Sequence, residues 1–152
     1  MSNIAQLTSI KGLAAYLPDG VWGAIRALIE NLPQDVKTAD NLNLYTFAGL
    51  STTKQEVDDD PGSRPLLIIA ESKGTLCWIH FYDNDSASVT EGVDVDFLVP
   101  VSGTSGEVTV ILCLGAGWKT FWDLGLTVSA ATATETSAAP TNTPNLYLVY
   151  AG

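Results

Sequence analysis

The sequence predicts a mainly β chain: an antiparallel β-sandwich or jelly-roll-like domain with an N-terminal helical segment. Three observations predict it. From Pro65 onward hydropathy alternates with a period of two, the pattern of strands with one side turned to a core. The apolar stretches there are short and are separated by clusters of Gly, Ser, Asn and Asp, the residues of tight turns. Before them, the apolar residues between Asp19 and Leu32 recur at helical spacing.

Residues 1–50 read as an N-terminal helical arm. Pro18-Asp19-Gly20 is a helix start with Asp19 as candidate N-cap. Val21, Trp22, Ala24, Ile25, Leu28, Ile29 and Leu32 follow at i, i+3, i+4 and i+7, which gathers them on one broad face. Arg26 and Glu30 are spaced to pair on the opposite side, and Pro33 ends the element. A shorter helix is expected around Gly12–Leu17. A helix this apolar needs a surface to cover, either the sandwich of its own chain or a neighbouring subunit. Residues 51–64 read as an acidic linker loop, from Ser51-Thr52-Thr53 through Glu56–Asp60 to Pro61-Gly62-Ser63.

Residues 65–152 form the sandwich domain. Leu66–Ala70 is a short apolar strand. Thr75–Tyr82 places Leu76, Trp78, His80 and Tyr82 on one face and Cys77, Ile79 and Phe81 on the other, so this strand belongs at the centre of a sheet. Val93–Val101 reads as a half-buried strand whose other face carries Asp94 and Asp96, with Pro100 near its end. Glu107–Leu114 sets Val108, Val110, Leu112 and Leu114 on one side. Leu124–Val128 and Asn145–Tyr150 complete the set, and Ser129–Pro144 reads as a long ordered surface loop. Too few helices lie between these strands for a parallel α/β sheet.

Composition narrows the function. The 152 residues suit one domain or one domain with an appendage, and 46% hydrophobic content supplies a core. Only 16% of residues are charged, against roughly 25% in an average domain. Seventeen acidic residues against seven basic ones leave a net charge of −10, which repels phosphate backbones and anionic membranes and suits a basic protein partner. No nucleic-acid or membrane partner is expected. The N-terminus has no apolar signal region, and Cys77 and Cys113 make no disulfide framework, so synthesis in a reducing compartment is expected.

No catalytic, cofactor or metal site is expected. His80 is the one histidine, and Cys77 three positions away points to the other face of the strand. Asp94 and Asp96 share a face about 7 Å apart, a spacing open to glycoside hydrolysis or calcium binding, but a charged solvent face explains them as well. Asp58-Asp59-Asp60 and Asp83-Asn84-Asp85 lack the ligand spacing of a calcium loop. The glycines form no phosphate cradle. The candidate partner-binding residues are aromatic and aliphatic: Trp22, Ile25 and Ile29 on the helical arm, and Trp118 and Trp122 beside Gly117.

The order of pieces in the C-terminal half adds a resemblance. "WIHFYDND", "EGVDVDFLVPV", "GEVTVILCLGAG" and "FWDLGLTVSAATATETSAAP" precede a terminal Asn-Leu-Tyr-Leu-Val-Tyr strand. Over about residues 75–152 this resembles a module of tailed-bacteriophage virion proteins. Gly92-Val93-Asp94-Val95-Asp96 stands here where that group has a Thr-Pro lead-in. The resemblance implies a small jelly-roll-like structural protein of the capsid decoration (cement) type, without enzyme activity. It implies the major capsid protein as partner, a homotrimer, and a place on the capsid surface of a virion made in the host cytoplasm. The alternative is a tail or fibre component that binds a host-surface glycan through the Trp118–Trp122 cluster and the 129–144 loop.

Overall fold

The computed structural model describes residues 2–6, 42–58, 64–113, 125–135 and 138–151. These carry nine strands: β1 (Ser2–Gln6), β2 (Leu42–Phe47), β3 (Gln55–Asp58), β4 (Arg64–Glu71), β5 (Cys77–Tyr82), β6 (Phe97–Val101), β7 (Val108–Leu112), β8 (Leu126–Ala131) and β9 (Asn145–Ala151). They make two sheets, a five-stranded one in the order β1-β2-β9-β4-β7 and a four-stranded one in the order β3-β8-β5-β6. Every pairing is antiparallel.

The pairing follows a simple rule. β5 pairs with β6, β4 with β7, β3 with β8 and β2 with β9. From β2 to β9 the chain is therefore one long hairpin, closed at the β5–β6 connection. Its rungs fall alternately into the two sheets, and rolling it up adds the pairs β4·β9 and β5·β8. β1 extends the five-stranded sheet beyond β2.

Alternation explains how the rungs meet. Ile68 and Ala70 of β4, Leu146, Leu148 and Tyr150 of β9 and Tyr45 of β2 enter one buried cluster from the five-stranded sheet. Cys77, Ile79 and Phe81 of β5, Val99 and Val101 of β6 and Leu126, Val128 and Ala130 of β8 enter it from the other. The domain is thus sandwich-like, with the core between two antiparallel sheets. Phe81 meets Phe97 edge to face, at a centroid distance of 6.3 Å.

Several expectations hold, and several are corrected. β4, β5 and β9 lie where the apolar alternation places them, and β5 is central as its two apolar faces require. β8 runs on past the expected Val128 to Ala131, so Ser129–Ala131 are buried strand and not part of the expected surface loop. The strand expected from Val93 begins only at Phe97. Gly92 and Asp94 take positive φ values of 77° and 53°, and Val93 N–H donates to Thr90 O, so a turn occupies those positions. In β7 it is Ile111, followed by Cys113, that packs on the core, so Val108 and Val110 face away from it. The region expected as an acidic linker contains β3, whose one buried apolar residue is Val57. A single inward side chain has no periodicity to detect. The expected helical arm starts and ends in strands, β1 and β2. The helices expected at 12–17 and 19–32 lie outside the described residues.

Two substitutions test the core. Phe81→Ala is expected to lower unfolding stability by about 3–5 kcal/mol, read from the urea midpoint. Tyr45 is fully buried and its hydroxyl has no hydrogen-bond partner. Tyr45→Phe is therefore expected to leave stability unchanged or raise it by about 1 kcal/mol in the same assay. A comparable loss would show that the hydroxyl is satisfied in solution.

Candidate functional site

The side of the four-stranded sheet that faces away from the core is where polar chemistry collects. The period of two that sends Ile79 and Phe81 inward sends Trp78, His80 and Tyr82 outward. In β8 the same alternation sends Thr127, Ser129 and Ala131 outward, and they stand opposite Tyr82, His80 and Trp78 in the register. His80, Thr127 and Ser129 are nevertheless buried. Two loops roof them: residues 83–96 between β5 and β6, and the start of the loop after β8.

Hydrogen bonds fix the protons in this layer. His80 Nε2 lies 2.9 Å from the Ala133 carbonyl, which can only accept, so Nε2 carries the hydrogen. In the neutral ring Nδ1 then accepts, at 3.1 Å, from the Tyr82 hydroxyl. Tyr82 Oη in turn accepts from Gly92 N–H at 2.8 Å and from the Ser129 hydroxyl at 3.0 Å. All the polar atoms of His80 and Tyr82 are thereby used. Burial pushes the His80 pKa down, against a smaller upward pull from the Ala133 carbonyl.

The 83–96 loop is bound down along its length. Asp96 Oδ2 accepts from Asp83 N–H at 2.7 Å, and Asp96 N–H donates to Phe81 O, which closes the loop at its base. Thr127 Oγ1 donates to Asn84 O at 2.8 Å. Ser86 N–H donates to Glu56 Oε2 at 2.8 Å, and Lys54 Nζ to Val89 O at 2.5 Å, which ties the loop to the neighbourhood of β3. Gly125, at φ +137°, immediately precedes β8 beneath it. A Cβ there would lie 3.1 Å from backbone atoms of Asn84 and Asp58, so this close approach requires glycine.

Two open hollows lie against the loop. The larger, about 560 Å³, runs between Gly92–Val95, Leu98 and the Thr134–Glu135 turn. The smaller, about 190 Å³, is bounded by Asp83, Asp94 and Asp96 among others. Val93 stands on the rim of both and is 51% exposed. These acidic walls suit a cationic or hydroxyl-rich group. Among the described residues no three His, Cys, Asp or Glu side chains converge closely enough to hold a metal ion.

The residues picked out by sequence fare unevenly. Trp22, Ile25, Ile29, Trp118 and Trp122 all lie outside the described residues. Asp94 and Asp96 do not share a strand face, because both precede β6 and Asp94 sits in a left-handed turn. Asp96 serves as the loop's base clamp. Cys77 and His80 lie on opposite faces of β5, as their spacing requires. Tyr82, Ser129 and Gly92 were not singled out by sequence. The outward set Trp78, His80 and Tyr82 was readable as a row, but its roof was not.

Two outcomes are expected here. Tyr82→Phe removes the acceptor for Gly92 N–H and both side-chain partners, and should cost about 1–3 kcal/mol. Faster hydrogen exchange at the Gly92 amide would locate that loss in the loop. His80 has a folded-state pKa below its unfolded value of 6.5. Its contribution to stability is then complete above about pH 6.5 and falls as pH drops through that value, because the unfolded chain takes up the proton first. Urea midpoints of the native chain and of His80→Gln should converge between pH 7.5 and pH 5. A constant difference would show that the ring titrates as it does in water.

No family model matches the chain, and no match is found among the curated proteins or the solved structures.

Proposed function

We propose that the protein is a structural virion component of the capsid decoration (cement) type, which binds the major capsid shell as a homotrimer. The observation that carries this reading is the strand order. A hairpin of eight strands, β2 to β9, rolled into two sheets is the wiring of a jelly roll, an architecture used by viral capsid and lectin domains. The argument is one of fold likeness, joined to the order of sequence pieces in residues 75–152. The chemistry of the roofed layer agrees with it. His80 and Tyr82 spend their polar atoms on holding loops, which makes a stiff surface. On that surface Val93 stands beside carboxylates at the tip of a bound loop, and a net charge of −10 favours a basic partner.

The second reading, a tail or fibre module that binds a host glycan, is favoured by one observation. The larger hollow is of ligand size, and Asp94 and Glu135 on its walls can accept hydrogen bonds from sugar hydroxyls.

Co-sedimentation with tailed-phage shells assembled without decoration proteins tests both readings. A trimer in solution that sediments stoichiometrically with shells, and loses at least about tenfold in affinity on Asp94→Lys, is the expected result. No binding to any shell, together with saturable binding on a glycan array that Glu135→Gln abolishes, would replace the first reading with the second.

A further inference from the structure

Both walls of the larger hollow hang on one buried ring. One wall is Gly92–Val95 and the other Thr134–Glu135, and Leu98 completes the lining. Gly92 N–H donates to Tyr82 Oη, and the Tyr82 hydroxyl donates to His80 Nδ1. Ala133, the residue before Thr134, accepts from His80 Nε2–H. Leu98 stands opposite His80 in the register of β5 and β6. His80 is 0% exposed, Ser129 1% and Tyr82 2%, so water does not reach the network while the loops are down.

The network closes only around a neutral ring. Its hydrogens are those of His80 Nε2, the Tyr82 and Ser129 hydroxyls and the Gly92 amide. The Ala133 carbonyl takes one, His80 Nδ1 another, and Tyr82 Oη the remaining pair. A proton on Nδ1 removes an acceptor and adds a donor. The hydroxyls can turn, so that Nδ1–H and Gly92 N–H point at Tyr82 while Tyr82 O–H points at Ser129. The Ser129 hydrogen then has no acceptor within the network. The imidazolium is also left without a counter-charge. β5 offers the ring Tyr82, β8 Ser129, β6 Leu98 and the loop after β8 the Ala133 carbonyl. The charged side chains of the roof loop are Asp83, Asp85, Glu91, Asp94 and Asp96, with Lys54 tied to it at Val89, and Glu135 lies on the loop after β8. The ring's bonds go to Tyr82 and Ala133 and to none of these.

We propose that His80 is a proton-released latch on this hollow: the neutral ring holds the Gly92 wall down, and protonation in mild acid lets that wall lift. Gly92 is the donor that gives way. His80, Tyr82 and Ser129 sit in the paired strands β5 and β8, whereas Gly92 lies in a loop beside the exposed Val93 and Asp94. The sign follows from the ring's two environments. With the loop lifted, the ring meets water and takes its proton near the ordinary value of 6.5. With the loop down, burial holds it below that value. The closed form is therefore at full strength above about pH 6.5. It weakens about tenfold for each pH unit below, until the closed ring titrates in turn. The latch regulates the rim that both readings above use. Release of a partner there rests on those readings, and the motion of the loop does not.

Amide hydrogen exchange of the full chain, without any partner, tests it. Between about pH 7.5 and pH 5.5, above the range where Asp and Glu titrate, the protection factors of Gly92 and its loop neighbours should fall about tenfold. They should lie below those of β4 and β9 throughout, because the loop opens while the sandwich stays folded. In His80→Gln the loop's protection should not change over that range. Constant protection of the loop in the native chain would overturn the proposal. So would loop protection equal to that of β4 and β9 at every pH, since opening would then be global unfolding. An unchanged fall in His80→Gln would overturn it as well. If that variant does not fold, Tyr82→Phe decides, because it cuts the link between the ring and Gly92. Fast exchange at Gly92 at both ends of the range supports the latch, and a persisting tenfold fall overturns it. A failure to bind shells or glycans would leave each readout unchanged.

Discussion

The central strands of both sheets are buried on both faces. In β4 every residue from Pro65 to Ala70 is buried, in β8 every residue from Leu126 to Ala131, and in β9 every residue from Leu146 to Tyr150. β5 is buried throughout except for a half-buried Trp78. Two sheets can shield only the faces they turn to each other. A sandwich built from such strands therefore needs a further cover on each outer side, and the described loops supply one of the two.

The two sides meet the need with different chemistry. On the four-stranded sheet the outward residues include His80, Tyr82, Thr127 and Ser129, and burying them unpaired would be costly. The roof is accordingly polar on its inner side. Gly92 N–H, Asn84 O and Ala133 O come down on those side chains at hydrogen-bond distance. Such a cover is directional, so it fixes the loop's position as well as shielding the sheet. On the five-stranded sheet the outward residues Leu44, Leu67, Ile69 and Val149 are aliphatic and ask only for apolar area. The acidic rim around Val93 is a by-product of the first solution. A loop pinned largely through its backbone leaves the side chains of Val93 and Asp94 exposed.

The legibility of the chain follows from the same division. β4, β5, β8 and β9 are rich in apolar residues because the core strands must be, and so they can be read directly. β3 cannot, since an edge strand that turns only Val57 inward carries almost no periodic signal and is held by its partner β8. Val93, Val95 and Phe97 alternate as a strand would, yet a positive φ at Gly92 and Asp94 makes the first part a turn. Alternation in sequence is a necessary mark of a half-buried strand, not a sufficient one. In β7 Ile111 and Cys113 take the core side, and the valines at 108 and 110 do not. With apolar residues on both parities, register against β4 decides which side is inward. Tyr82 as the post of the polar roof was out of reach, because its partners Gly92, Ser129 and His80 are brought together only by pairing across β5 and β8.

The sequence by itself determined the β class, the doubly apolar central strands, the acidic surface and the absence of a Cys77–His80 pair on one face. These depend on composition and on the parity of residues within one strand, both of which are local. Tertiary structure alone decided that the hairpin rolls up, that β1 and β2 bracket the N-terminal segment, and that His80 sits inside a closed hydrogen-bond network. Each of those depends on residues distant in the chain becoming neighbours, and no local period encodes which strand will lie beside which.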